Sequence, residues 1–121
     1  MATKTDVGAV LERVRAICLA LPMTEEKLAW GEPTFRVKRK LFVMFANNHH
    51  NDGRIAIWCH APEGAQEALV NANPEQFFVP PYVGPSGWIG VRLDRRPNWK
   101  TVAALIEQAW ERAAPSPVRR R

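Results

Sequence analysis

The sequence predicts one α+β domain, a two-layer sandwich in which helices from both ends of the chain pack on one face of an antiparallel sheet. Three observations predict this fold class. The chain has 121 residues, 46% apolar and 24% charged, which suits a single hydrophobic core. Apolar residues repeat at helical spacing near both ends of the chain. Short strand-like segments, separated by turn-forming residues, fill the middle.

Two amphipathic helices are predicted, over residues 6–20 and 98–113. Thr5 is a suitable N-cap for the first helix and Pro22 ends it, while Asn98 or Pro97 marks the start of the second. Each helix has one apolar and one charged face, so each must bury a face against another element. The apolar stripes are Val7, Val10, Leu11, Val14, Ile17, Cys18 and Leu21 in the first helix, and Trp99, Val102, Ala103, Ile106, Ala109, Trp110 and Ala113 in the second.

The middle of the chain supplies the sheet. Its strands are joined by connections too short for parallel crossovers, so neighbouring strands are predicted to be antiparallel. The element order is α-β-β-β-β-α-β-β-α, which suits a two-layer α+β sandwich. Strands are predicted at 27–31, 33–37, 41–46, 54–59, 77–79 and 88–93, with a short helix at 62–72 between the fourth and fifth.

Alternation along the strands predicts which side chains face the helices. In the strands at 54–59 and 88–93 the aliphatic residues fall at every second position, and these belong against the helices. The opposite face of the sheet is then left without a helix. It carries Arg36, Trp58, Trp88 and Arg92, with Phe42 or Met44 alongside.

The net charge is +5, which suggests an acidic partner such as nucleic acid. Arg119, Arg120 and Arg121 supply three of these charges, so the rest of the chain is nearly balanced. We expect residues 1–115 to form the single domain and residues 116–121 to be a basic, disordered tail. No apolar run is long enough to span a membrane, no secretory signal is visible, and Cys18 and Cys59 are expected to be buried and reduced. We therefore expect a cytoplasmic protein without a membrane partner.

A family resemblance rests on several short segments in a fixed order. They are Trp30-Gly31-Glu32-Pro33-Thr34-Phe35-Arg36-Val37 with Lys40-Leu41-Phe42-Val43 after it, the segment 73–78, the strand at 88–93, and a closing helix with Ala109-Trp110. Together they resemble the MmcQ/YjbR family over about Val10 to Ala114. The resemblance implies a CyaY-like fold, similar to a double-wing DNA-binding domain, and members are commonly labelled DNA-binding. It implies no catalytic residues, and the positions that match the family's pattern are Trp30, Gly31, Pro33, Phe35, Lys40, Phe42, Pro81 and Trp88.

The first function hypothesis is nucleic-acid binding by a basic hairpin and the open sheet face. Basic residues would neutralise phosphates while tryptophans stack on bases, as in binders of single strands. The alternative for the same basic residues is a solvated hairpin that protects a sheet edge. The candidate residues are Arg36, Lys38, Arg39, Lys40, Trp58, Trp88, Arg92, Arg95 and Arg96.

The tryptophans have alternatives of their own. The loop at 80–87 could fold over Trp58 and Trp88 and form a second small core. The face could instead dock a protein partner or a second copy, as in an interaction or chaperone-like module. A small-ligand pocket beneath the same loop is a third possibility, without any indication of its ligand.

No catalytic residue, metal site or cofactor is predicted. The sequence lacks a nucleophile elbow, a phosphate-binding loop and a dinucleotide fingerprint. His49, His50 and His60 stand at no familiar metal-ligand spacing. We therefore expect a binding protein and not an enzyme.

Overall fold

The computed structural model describes residues 5–115, and these form three α-helices and one six-stranded sheet. The strand order is β1-β2-β3-β4-β6-β5, and every neighbouring pair is antiparallel. The predicted α+β class is confirmed, whereas the tail at 116–121 lies outside the described residues. The elements are α1 (Val7–Leu19), β1 (Thr24–Ala29), β2 (Glu32–Val37), β3 (Lys40–Asn47), β4 (Ile55–Cys59), α2 (Ala65–Ala72), β5 (Phe77–Phe78), β6 (Ile89–Arg92) and α3 (Trp99–Ala113).

The helix ends follow local capping chemistry. Asp6, and not the predicted Thr5, is the N-cap of α1, and its Oδ1 accepts a hydrogen bond from the Ala9 N–H at 3.1 Å. Asn98 caps α3 as predicted, because its Oδ1 accepts from the Lys100 and Thr101 N–H groups at 2.9 and 3.3 Å. Within residues 5–115, no helix is both long and apolar enough to cross a membrane.

The main core lies between the helices and one face of the sheet. Val14 and Cys18 of α1 and Ile106 and Trp110 of α3 are fully buried there. The Trp110 indole also donates a hydrogen bond to the Pro22 carbonyl at 3.0 Å, which ties α3 to the turn after α1. Both terminal helices therefore cover the same face of the sheet, as predicted. The strand residues of this core are Phe35, Val37, Phe42, Val43, Phe45, Ile57, Cys59, Phe77, Ile89 and Val91.

An irregularity in the pairing of β2 with β3 determines which of Phe42 and Met44 lies on the face without helices. Phe35 pairs with Val43 and Arg36 pairs with Leu41, so Phe42 is an extra residue in β3. Such a bulge interrupts the strict alternation of side chains. Phe42 therefore joins Val43 in the main core, and Met44 lies on the opposite face.

The first strand differs from its predicted range of 27–31. It spans Thr24–Ala29, and Ala29 pairs with Glu32 across a two-residue turn. Trp30 and Gly31 have φ values of 54° and 75°, and positive φ at both positions is what a type I′ hairpin turn requires. The composition of residues 27–31 predicts a strand, but the backbone turns at Trp30 and Gly31.

A second, smaller apolar cluster covers the face without helices. It consists of Met44, Ala46, Ala56, Trp58, Phe78 and Trp88. Gly90 of β6 lies directly beneath the Phe78 ring, and a Cβ atom at position 90 would overlap that ring. The contact between β5 and β6 therefore depends on the absence of a side chain at Gly90.

Gly90→Ala is expected to lower the free energy of unfolding by about 1–3 kcal/mol, because the added methyl group must displace the Phe78 ring. Gly8→Ala in α1 is the matched control, since a Cβ there meets only Asp6 Oδ1 at 3.5 Å and alanine favours a helix. Urea unfolding of both variants measures the difference. Equal stabilities would contradict the close packing of β5 on β6.

Candidate functional site

The loop from Val79 to Trp88 covers the second cluster. The Gln66 side chain of α2 holds this loop, because its Nε2 donates to the Gly84 carbonyl at 2.8 Å and to the Trp88 carbonyl at 2.6 Å. Trp58 and Trp88 are only 3% and 8% exposed. They lie on the predicted face of the sheet, but their rings are largely buried and do not form an open stacking surface. The predicted alternative, in which the loop folds over both rings, describes the structure.

A cavity of about 420 Å³ remains between this loop, the sheet and the first hairpin turn. This volume lies in the range of small-molecule sites. Most of the lining is apolar or aromatic, and a flat ring could contact several of the side chains at once. The cavity is lined by Trp30, Leu41, Met44, His49, His50, Trp58, Tyr82, Val83 and Trp88.

Three aromatic residues that line the cavity stand on left-handed backbone. The φ values are 54° at Trp30, 55° at His50 and 64° at Tyr82. This region is unfavourable for bulky side chains, and strained backbone of this kind concentrates at binding sites. The hairpin turn accounts for the φ of Trp30, whereas Tyr82 is 77% exposed, so burial of its own ring does not explain its φ.

The His49 imidazole of the cavity lining is paired with a buried carboxylate. Glu32 is 7% exposed, and its Oε2 lies 3.1 Å from His49 Nδ1 and accepts the Asn47 N–H at 2.9 Å. The His49 ring packs edge-on against Trp58, with 5.3 Å between the ring centroids. The ring is therefore fixed by a buried carboxylate on one side and by an aromatic ring on another.

The His60 ring stacks on Trp88, which lines the cavity, and their ring centroids are 5.5 Å apart. Burial, followed by the charges of Arg112 and Lys40, lowers the pKa of His60 below its ordinary value. The neutral imidazole therefore packs as an aromatic ring.

The basic hairpin lies at one end of the sheet. Lys38 and Arg39 form the exposed turn between β2 and β3, with φ values of 50° and 72°, and Lys40 beside them is exposed as well. Arg36 extends over the Trp30 ring, with its guanidinium carbon 5.9 Å from the ring centroid. Of these four basic residues, Arg36 alone contacts a side chain of the cavity lining, while the Lys38–Arg39 turn lies at the other end of β2 from Trp30.

The remaining basic candidates lie at the other end of the sheet. The strand register places Arg92 opposite Ala56, so Arg95 and Arg96 follow at the end away from the Lys38–Arg39 turn. The Arg92 guanidinium binds the Asp94 carboxylate at 2.9 and 3.0 Å. Burial acts to raise the pKa of Asp94, but Arg92 outweighs it and the pKa lies below its ordinary value. The nine candidate residues therefore do not form one continuous surface, and Arg92 is already paired.

The sequence does not predict five residues of this site, which are Trp30, Glu32, His49, His50 and Tyr82. It indicates the histidines only as possible metal ligands. The exposed Trp30 and Tyr82 rings belong to turns, and the sequence does not indicate that the backbone of these turns is left-handed. The loop rich in proline and glycine at 80–87 was the usable signal, because it predicted a cover over the tryptophans.

The described residues offer no metal cluster. Across residues 5–115, no group of three or more His, Cys, Asp or Glu side chains could hold an ion. Cys18 and Cys59 are buried and free, and burial raises the pKa of both thiols. A thiolate nucleophile is therefore disfavoured at either position.

Comparison with known proteins identifies the family. The YjbR family model matches residues 19–112. The chain belongs to the YjbR family. A crystal structure of Deinococcus radiodurans protein DR2400, which has a DUF419 domain, is similar to this YjbR protein with a TM-score of 0.70. The two are 17% identical over 83% of this chain and 75% of that one, a likeness that shows the fold alone. Among proteins of curated function, none matches the sequence.

Replacing Tyr82 tests whether its backbone is strained. Tyr82→Asn and Tyr82→Val both remove the ring, but asparagine tolerates left-handed backbone whereas a β-branched residue does not. We expect the Asn variant to be more stable than the Val variant by about 1–2 kcal/mol in urea unfolding. Two variants of equal stability would show that position 82 is not held in this conformation.

Proposed function

We propose that this YjbR protein is a small binding protein whose recognition site is the cavity on the helix-free face of its sheet. The observation that carries the proposal is the cavity itself, about 420 Å³ in volume and lined mostly by apolar and aromatic side chains. Concave, largely apolar sites with a few fixed polar groups are the common form of small-ligand sites. The site would act by binding, without a chemical step.

The lining specifies the shape and polarity of what would bind. Trp58 and Trp88 lie against the sheet, while Trp30 and Tyr82 are exposed at the edges of the cavity. Aromatic side chains pack best against flat rings, either offset-stacked or edge-to-face. The proposed ligand is therefore a flat, largely apolar group, either free or part of a larger molecule.

Nucleic acid is the second candidate, and the basic hairpin favours it. Lys38, Arg39 and Lys40 are exposed, and Arg36 packs on Trp30 beside the cavity. One base of a single strand could enter the cavity while these residues bind its phosphates. Against strong binding, Arg119, Arg120 and Arg121 supply three of the five net charges, so the rest of the chain carries 14 Lys and Arg residues against 12 Asp and Glu.

We also propose that the protein is cytoplasmic. Two free, buried cysteines suit a reducing compartment. The proposed partners are a small molecule, nucleic acid, or an apolar protein segment or second copy that places a side chain in the cavity. A membrane is not among them.

The cavity can be tested with indene, a flat hydrocarbon that carries no hydrogen-bonding group. The chain has five tryptophans, of which Trp30, Trp58 and Trp88 line the cavity, while Trp99 and Trp110 pack with the helices. We expect indene to shift the indole N–H signals of the first three in proton–nitrogen correlation spectra. The signals of the other two should stay in place, which provides an internal control.

A variant that fills the cavity completes this test. Val83→Phe adds a ring to the lining and should abolish the indene shifts while the rest of the spectrum stays native. Shifts at all five tryptophans, or none at any of them, would contradict the proposed site.

The nucleic-acid candidate can be tested with two matched double variants. Lys38→Gln with Arg39→Gln removes two charges at the hairpin, and Arg95→Gln with Arg96→Gln removes two at the other end of the sheet. If the hairpin binds phosphates, only the first pair should weaken binding to a labelled single-stranded oligonucleotide in fluorescence anisotropy. It should also reduce the slope of log affinity against log salt by about 1.4, measured between about 50 and 200 mM.

Other outcomes of this assay assign the binding elsewhere. Equal losses for the two variants would indicate diffuse attraction, and loss on truncation to residues 1–115 would assign it to the arginine tail. Absence of oligonucleotide binding, together with indene binding that persists at high salt, would favour an apolar ligand or a docked protein segment.

A further inference from the structure

The Glu32–His49 pair is unusual for a cavity that is otherwise apolar. Glu32 is buried, and a buried carboxylate costs free energy unless it is paired and hydrogen-bonded. Its Oε2 meets the Asn47 N–H and His49 Nδ1 at 2.9 and 3.1 Å. A buried carboxylate thus fixes one imidazole at the wall of the cavity.

The carboxylate also determines what the imidazole offers to a ligand. A carboxylate accepts hydrogen bonds, so Nδ1 carries the hydrogen that is donated to Glu32. In the neutral ring the other nitrogen, Nε2, is then an acceptor. His49 lines the cavity, so the neutral form of the ring can present this acceptor nitrogen to a ligand there.

Trp58 supplies an unused donor beside it. Trp58 is 3% exposed and lines the cavity, and its Nε1 atom has no hydrogen-bond partner but is buried, so a ligand reaches it only if the Trp58 ring shifts. Buried polar groups are nearly always paired, and an unpaired one requires an explanation. The His49 and Trp58 ring centroids are 5.3 Å apart, so one bicyclic ligand is large enough to meet both.

We propose that the cavity selects a planar heteroaromatic ring that carries both a hydrogen-bond donor and an acceptor. The donor of the ligand would bind Nε2 of the neutral His49 ring, and its acceptor would receive the Trp58 Nε1–H after a shift of the Trp58 ring. This inference rests on the proposed function and narrows it from flat apolar groups to heteroaromatic ones. Glu32 would be a positioning residue, because it acts through His49 and does not touch the ligand.

Three probes of similar shape separate the two hydrogen bonds. Benzimidazole has a donor and an acceptor, N-methylbenzimidazole keeps only the acceptor, and indene has neither. Dissociation constants come from titrations followed by proton–nitrogen correlation spectra at one fixed pH. We expect benzimidazole to bind about tenfold more tightly than indene, with N-methylbenzimidazole between them.

The Trp58 indole signal gives a readout that depends on the hydrogen bond itself. Its N–H proton should move downfield with both nitrogen-containing probes, because it gains an acceptor, and should not do so with indene. An unchanged Trp58 signal on saturation with benzimidazole would overturn the assignment of Trp58 as the donor.

His49→Phe should remove most of the preference for benzimidazole over N-methylbenzimidazole while indene binding is kept. Loss of His49 leaves Glu32 buried with fewer partners, which could unfold the protein. The double variant Glu32→Gln with His49→Phe removes that charge and keeps the test valid. Arg95→Gln, at an exposed residue outside the cavity lining, is the control and should retain the preference.

The outcomes distinguish the inference from the function on which it rests. Equal affinity for all three probes, unaffected by the His49 variants, would overturn the heteroaromatic preference and leave the cavity as a site for flat apolar groups. Binding of no probe by the folded protein would overturn both.

Discussion

The sheet carries apolar side chains on both faces, whereas helices α1 and α3 cover only one of them. The other face must be covered in another way, because a cluster that contains Met44, Trp58 and Trp88 would otherwise meet water. The loop from Val79 to Trp88 provides that cover, and Gln66 holds it in place through two carbonyl groups. The loop does not fill the space over this face completely. The cavity is the space that this partial cover leaves.

The alternation of residues was enough to predict the layers. Ile57, Cys59, Ile89 and Val91 face the helices as expected, and Trp58 and Trp88 face away from them. The ends of the elements were less predictable, since they depend on details of the backbone. One example is the extra residue Phe42 in β3, which a strict alternation of faces does not allow for.

The cavity itself was harder to predict than the sheet. The sequence indicated that the loop at 80–87 could lie over the tryptophans, and it raised a pocket there as one possibility. It did not indicate Trp30 or Tyr82, because their positions depend on left-handed backbone in two turns that are far apart in sequence. Nor did it indicate the Glu32–His49 pair, whose members are 17 residues apart and meet only through the pairing of β2 with β3. The sequence shows the basic residues, but only the strand register shows that they lie at two opposite ends of the sheet.

The structure therefore combines a well-packed core with a strained, incompletely filled second face. Bulky aromatic residues on left-handed backbone lower stability, and they persist only where the surrounding structure holds them in that conformation. The most direct measurement is a crystal structure of the protein soaked with benzimidazole. Electron density for the probe over Trp58 and Trp88, between Trp30 and Tyr82 and within hydrogen-bond distance of His49, is the predicted result. A cavity closed by inward movement of Tyr82, with the probe elsewhere or absent, would contradict a binding site on this face.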